Sequence, residues 1–328
     1  MNNLRRKKLI VTSLIGVAIF VLGLVIGRYL ARPANNLIPI RSPESGNFKF
    51  IKPLIGFDTV SKDGFTEFNG LKSDLEKYIA NNKASGQAKD VGIYFRRLDD
   101  GHYFGINENM EFEPGSLLKV PIMIAYFKKT ETDPDVLTKR IVYEPQNLLP
   151  SPLNKSSSTL VPDRAYTVEE LLQIMITESD NGAKDMLVKN IGINYLEEVF
   201  YEIGFLSLDE ASVITPRVYS FFFRRLHNST YLSREFSEKT LRILSETNYT
   251  NGLAAGIPSN ILISHKFGER GDYAEGILTG TELHDCGIVY YKSRYLLCVM
   301  TRGYDTPTLQ GILKDISKTI FNYVKNNS

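Results

Sequence analysis

Two turn signals, one on each side of a long helix-patterned stretch, constrain this chain more than any other feature. The first is Asp99-Asp100-Gly101, between strand-like runs at 91–98 and 102–106. The second is Lys292-Ser293, between runs at 287–291 and 295–301. Short polar turns between such runs close hairpins. Hairpins pair antiparallel, whereas parallel strands need long crossovers. A further strand is expected at 261–267, ending in Gly268. Between the two groups the periodicity is helical. Val168, Leu171, Leu172 and Met175 recur on one helix face, behind the capping-box pair Thr167 and Glu170. Pro216 and Ser233 open further helices, and 71–79, 183–189, 195–203 and 308–324 carry helical spacing. The predicted fold is α+β: a five-stranded antiparallel sheet flanked by helices, plus a helical subdomain. No internal repeat interrupts that layout.

The N-terminus follows a different pattern. Residues 9–27 carry no charge, with Arg5-Arg6-Lys7-Lys8 before them and Arg28 after. That length spans a hydrocarbon core as a helix. The expected organisation is a basic cytoplasmic tail at 1–8 and a transmembrane anchor at 9–30. A linker at 31–64 follows, rich in Pro, Asn, Ser and Gly with one short strand at 48–51. The globular domain is expected at 65–328. The stronger basic cluster precedes the apolar run, which places the N-terminus in the cytoplasm and the domain outside. A cleaved signal peptide is the alternative reading, and it too exports the domain.

The net charge of +2 conceals an asymmetry. Six of the 39 Lys and Arg residues lie within the first 32 positions, which hold no acidic residue; the remainder carries 33 basic against 37 acidic. A mildly acidic domain argues against nucleic acid as a partner. The two cysteines, Cys286 and Cys298, form no Cys-x-x-Cys and are nearly symmetric about Lys292. They can face each other across the second hairpin, as two thiols or as a disulfide. His102, His227, His265 and His284 have no close ligand spacing. No metal or organic cofactor is expected.

Chemistry concentrates at three short motifs. Pro114-Gly115 breaks the chain ahead of a helical run, so Ser116 falls at a helix N-terminus and Lys119 is its neighbour one turn on. A hydroxyl there meets unpaired backbone N–H groups and the positive end of the helix dipole. A lysine amine beside it can take its proton if burial or a second cation lowers the lysine pKa. Ser179-Asp180-Asn181 sits in a break between helices. Lys266-Phe267-Gly268 closes a strand, preceded by Ser264-His265.

In this order and context the chain resembles the penicillin-recognising serine enzymes, most closely class A β-lactamases, over about residues 65–324. The flanks match as well: 166–172 ahead of Ser179, and His284-Asp285-Cys286-Gly287-Ile288-Val289 in the late strand. The resemblance implies that Ser116 is acylated and that Lys119 takes its proton. It implies that Lys266 depresses the Lys119 pKa and attracts a substrate carboxylate. Ser179 would relay a proton to the leaving nitrogen, Asn181 would hold the acyl-amide chain, and Asp180 would be a structural cap. The oxyanion hole would be the backbone N–H groups of Ser116 and Glu269, with Gly268 admitting substrate close to the strand. Arg294 matches a strand position where the family often places a carboxylate-binding arginine. The implied reaction is hydrolysis of a β-lactam amide. A D,D-peptidase acting on D-Ala-D-Ala stems and a sensor that stays acylated are the other behaviours the resemblance admits.

Two departures accompany it. Phe267 stands where the family usually has Thr or Ser, so a hydroxyl for the substrate carboxylate is lost. From Ser179 to Pro216 the chain runs only 37 residues, roughly fifteen fewer than a loop carrying the deacylating glutamate requires. No Glu-x-x-x-Asn occurs in that span, and Asp209 and Glu210 are the carboxylates nearest the right place.

Overall fold

A computed structural model describes residues 36–42, 46–60, 66–144, 158–204, 213–274 and 277–327, with 16, 20 and 21. In chain order the elements are β1 (Asn36–Arg41), β2 (Leu54–Val60), α1 (Asn69–Ala84), β3 (Asp90–Arg97), β4 (Tyr103–Ile106), α2 (Lys119–Lys129), β5 (Arg140–Val142) and β6 (Ala165–Thr167). There follow α3 (Val168–Thr177), α4 (Asn181–Ile191), α5 (Ile193–Glu202), α6 (Pro216–Asn228), α7 (Arg234–Leu244), β7 (Leu262–Ala274), β8 (Ile277–Tyr290), β9 (Tyr295–Gly303) and α8 (Thr306–Asn326).

The five expected strands form one antiparallel sheet in the order β4-β3-β9-β8-β7. Alternation along β3 explains why both sheet faces are covered. Val91, Ile93 and Phe95 face one core with Leu71, Leu75 and Ile79 of α1 and Leu309, Ile312, Leu313 and Ile316 of α8. Tyr94 faces the other, among the apolar stripes of α2 to α7. Each such side chain contributes about 1.5–3 kcal/mol when fully buried. The site forms where the helical layer meets the sheet's outer strand, β7.

Local signals were realised where the backbone demanded them. The Thr167 hydroxyl accepts from the Glu170 N–H while the Glu170 carboxylate accepts from the Thr167 N–H. Thr215 and Ser233 cap α6 and α7 through their hydroxyls. Cys286 and Cys298 are direct cross-strand partners and are joined as a disulfide.

The structure corrects two expectations. Strand β7 does not end at Gly268 but continues through Ala274, paired with β8 along its whole length. The segment expected to be a linker with a strand at 48–51 instead carries β1 and β2, which pair with each other. Phe50 and Ile51 are buried as irregular chain, because Glu238 accepts the N–H groups of Lys49, Phe50 and Ile51 at 2.9–3.1 Å. Those N–H groups are thereby spent on a side chain and do not enter a sheet. Among the described residues no helix is long and apolar enough to cross a membrane. The anchor expected at 9–30 falls, but for residues 16, 20 and 21, outside them.

Candidate active site

Ser116 sits in a 3-10 turn (Gly115–Leu118) that feeds directly into α2, so Lys119 is the first residue of the α-helix. Pro121 follows in the first turn, where its missing N–H costs little. The turn is gripped from behind. Gly115 has φ +51°, and a Cβ there would lie 2.6 Å from the Glu269 carbonyl oxygen. A Cβ on Gly268 would lie 2.3 Å from the Pro114 carbonyl oxygen. The nucleophile turn packed against β7 by itself demands a glycine at Gly268.

Two β8 side chains complete this grip. Glu282 Oε2 accepts from the Glu113 N–H at 2.8 Å, and His284 Nε2 donates to the Glu113 carbonyl at 2.9 Å. His284 Nδ1 accepts from the Thr301 N–H at 3.3 Å, which fixes the tautomer. Burial would raise the Glu282 pKa, but His284 and Arg302 hold it below the usual range. Sequence reasoning assigned neither residue a role. The available signal was two polar residues at i and i+2 on a strand face otherwise filled by Cys286 and Ile288.

Lys119 is the centre of the site. Its Nζ lies 3.0 Å from Ser116 Oγ, 2.5 Å from the Ser179 carbonyl oxygen, 3.2 Å from Ser179 Oγ and 2.8 Å from Asn181 Oδ1. A carbonyl and an amide oxygen can only accept. A neutral amine therefore donates its two N–H bonds to the Ser179 carbonyl and Asn181, and its lone pair is left facing the hydroxyls. Ser116 can then donate its O–H to Nζ, the arrangement an activated nucleophile needs. Burial lowers the Lys119 pKa to about 7, aided by Lys184 and opposed by Asp180 and Asp185.

Ser179 presents both its oxygens because its backbone is left-handed, φ +57°, a strained conformation for a non-glycine residue. The next residue holds that bend. Asp180 Oδ1 caps α4 through the Ala183 N–H at 2.8 Å, and Oδ2 accepts from the Thr159 N–H at 3.2 Å. From the sheet side Lys266 Nζ donates to Ser179 Oγ at 2.9 Å and to the Phe267 carbonyl at 3.0 Å. Lys266 is fully buried; burial, then the Lys119 charge, push its pKa well down against the pull of Asp285.

Behind Lys266, the buried His265 donates from Nδ1 to Asp285 at 2.8 Å, and Asp285 also accepts the Leu253 N–H. The Glu269 carboxylate accepts from the Thr306 hydroxyl at 2.6 Å, away from the cleft, so only its main chain is available to the site.

Arg294 is not brought to the cleft. It lies in the β8–β9 turn, where its guanidinium donates to the carbonyls of Lys49 and Phe50 at 3.1 and 3.4 Å. Its sequence position suggested a strand arginine, but β8 ends at Tyr290 and carries the chain to the far end of the sheet. Asp209 and Glu210 lie outside the described residues. Among the described residues, no group of three or more His, Cys, Asp or Glu side chains is placed to hold a metal ion.

A five-stranded antiparallel sheet meeting a helical layer, with a serine hydroxyl beside a buried lysine at the joint, defines the penicillin-binding and β-lactamase class of serine enzymes. Comparison with known proteins agrees. A model of the beta-lactamase enzyme family matches residues 71–324, and the chain belongs to that family. It is 22% identical over 281 residues to the beta-lactamase VEB-1 of Pseudomonas aeruginosa, covering 79% of this chain and 93% of that one. Among solved structures, a mutant of PBP-A, held as an acyl-enzyme complex with penicillin G, superposes with a TM-score of 0.65. It is 23% identical and covers 77% of this chain and 97% of its own. The TLA-1 extended-spectrum beta-lactamase gives 0.66 at 20% identity, covering 78% and 98%.

Proposed function

We propose that the protein is a serine acyl-hydrolase that opens the amide of a β-lactam through an acyl-Ser116 intermediate. The observation that carries this reading is the 3.0 Å contact between Ser116 Oγ and the Nζ of a buried lysine whose pKa is lowered to about 7. Ser116 Oγ attacks the carbonyl carbon and gives its proton to Lys119. The carbonyl oxygen becomes an oxyanion, held by the Ser116 and Glu269 N–H groups, a kind of contact worth about 2.7–4 kcal/mol to the transition state. As the C–N bond breaks, the proton reaches the leaving nitrogen through the Ser179 hydroxyl, which lies within hydrogen-bond reach of both lysines. Asn181 orients the acyl chain. Water then releases the acid and regenerates Ser116.

A second reading is favoured by the short 37-residue span from Ser179 to Pro216. That span holds no Glu-x-x-x-Asn pattern, and without such a glutamate to activate water the acyl-enzyme would persist. The protein would then act as a slow D,D-peptidase on D-Ala-D-Ala stems or as a β-lactam sensor. Labelling with a fluorescent penicillin tests the acylation common to all these readings. Following nitrocefin then separates them: sustained turnover establishes the hydrolase, and one burst per protein removes it.

We also propose that the domain lies outside the cytoplasmic membrane, tethered through 9–30. The uncharged run behind a basic cluster supports this, as does the Cys286–Cys298 disulfide, which suits an oxidising compartment. Retention in the membrane fraction after a carbonate wash, lost when residues 1–30 are removed, checks it.

A further inference from the structure

The Lys266 end of the cleft is built differently from an anion receptor. β7 is the outer strand of the sheet, and Phe267 closes its free edge there. The Phe267 ring centroid lies 4.1 Å from Lys266 Nζ. On its other side Phe267 stacks on Tyr249, with centroids 4.0 Å apart and planes within 21°. Tyr249 in turn lines a cavity of about 750 Å³ beside β7, whose wall is mixed: Ala254, Ile257, Pro258 and Ile261 stand with Thr247, Thr250 and Lys49. One side of that wall extends the apolar surface begun by the aromatic pair.

Along β7 and the β8–β9 turn, the strand hydroxyl that would receive a carboxylate is missing and the cations are committed. Position 267 offers a ring where a hydroxyl would stand. Lys266 is fully buried, and its Nζ already serves Ser179 Oγ and the Phe267 carbonyl. The charges acting on it are Lys119 and the buried Asp285. Arg294 is held by the carbonyls of Lys49 and Phe50. The next strand arginine, Arg270, is paired with Glu113 at 2.5 Å. A carboxylate entering here would lose its hydration and find an aromatic face, which repels negative charge.

We propose that the Tyr249–Phe267 pair selects acyl donors whose leaving-group side carries an uncharged flat or apolar group in place of a free carboxylate. An ester or amide, or a chain that continues beyond the leaving amine, fits this surface. Tyr249 and Phe267 are thus specificity-determining residues, acting through what they exclude. This inference rests on the acyl-transfer reading of Ser116.

The experiment uses the full-length protein and two probes, benzylpenicillin and its methyl ester. The second-order acylation rate of each is followed by intact-protein mass. In a receptor with charge-assisted hydrogen bonds the acid leads by about tenfold or more. In this protein the acid is expected to lead by less than about threefold, or to trail. Phe267→Thr is expected to raise the acid-to-ester ratio by about tenfold. An acid lead above threefold in the wild type overturns the inference and leaves the acyl-transfer reading standing. An unchanged ratio in Phe267→Thr removes the role of the aromatic pair. If neither probe acylates the wild type, the acyl-transfer reading fails, and this inference falls with it. The wild-type comparison decides the matter even if the variant does not fold.

Discussion

The two walls of the cleft are built on different physics. On the helical wall, Ser116, Ser179 and Asn181 all direct oxygens at one atom, Lys119 Nζ, within 2.5–3.2 Å. That wall is defined by charge and by proton positions. On the sheet wall, Gly268 lies against the nucleophile turn and Phe267 lies between Tyr249 and Lys266. That wall is defined by volume. A substitution on the helical wall should cut the rate and leave the fold, and one on the sheet wall should shift the geometry and cost stability.

The largest expected effect is on the helical wall. Ser116→Ala should lose all covalent labelling by a β-lactam while keeping the wild-type melting temperature. A labelled Ser116→Ala protein would show that the wall's polar centre serves another nucleophile.

Lys119 gives the next effect, in two forms. Lys119→Ala should slow acylation by about 10²–10⁴-fold, the usual contribution of a general base. In the wild type the sign of the pH dependence follows from the lowered pKa of about 7. Below it Nζ is protonated and has no lone pair for the Ser116 proton, so the acylation rate should fall about tenfold per pH unit. Above it the rate should level off. A stopped-flow profile that stays flat between pH 5 and 7 would place the base elsewhere.

The sheet wall is tested by volume alone. Gly268→Ala adds one carbon, placed 2.3 Å from the Pro114 carbonyl oxygen. Forcing β7 away from the turn should cost about 1–3 kcal/mol of stability. It should also slow acylation, because the Glu269 main chain moves with it. Gly311→Ala in α8 is the contrasting change: nothing lies within 4 Å of the added carbon. It should stabilise by about 0.5–1 kcal/mol through helix propensity. Thermal melts of the two variants should move in opposite directions. A Gly268→Ala protein with unchanged melting and acylation would mean that the sheet wall yields without cost.

How much of this was legible in the sequence follows the same division. The helical wall was readable because its determinants are local. Pro114-Gly115 fixes where the turn begins, Lys119 follows Ser116 by one turn, and Asp180 caps the helix it precedes. The sheet topology was readable because both hairpins announce themselves at their turns. Contacts between residues far apart in the chain were not readable. Tyr249 meets Phe267 only after α7 and β7 have been laid down, and nothing in either neighbourhood specifies a stack. Glu282 and His284 reach Glu113 across about 170 positions. Arg294 misled for the opposite reason: its local pattern was that of a strand arginine, while its place was set by how far β8 extends. The reason for Gly268 was likewise hidden, because a glycine in a strand signals close approach without saying what approaches.

The smallest expected effect on acylation lies outside both walls and asks whether they depend on anything beyond themselves. Residues 48–51 lie across the far end of the sheet and are held from two sides. Glu238 accepts three consecutive N–H groups, and Arg294 donates to two carbonyls. The half-exposed carboxylate makes a modest contribution. Glu238→Ala should cost about 1–2 kcal/mol, mainly by leaving the N–H groups of buried Phe50 and Ile51 without a partner. Arg294→Ala should cost less, because its guanidinium contacts are long and partly exposed. Limited proteolysis should then cut within 46–54 sooner, while the rate of Ser116 acylation stays at the wild-type value. If acylation falls along with protection of this segment, the packing of Phe50 and Ile51 is transmitted to Lys119. The helical wall would then be a product of the whole fold and not of the three short motifs that build it.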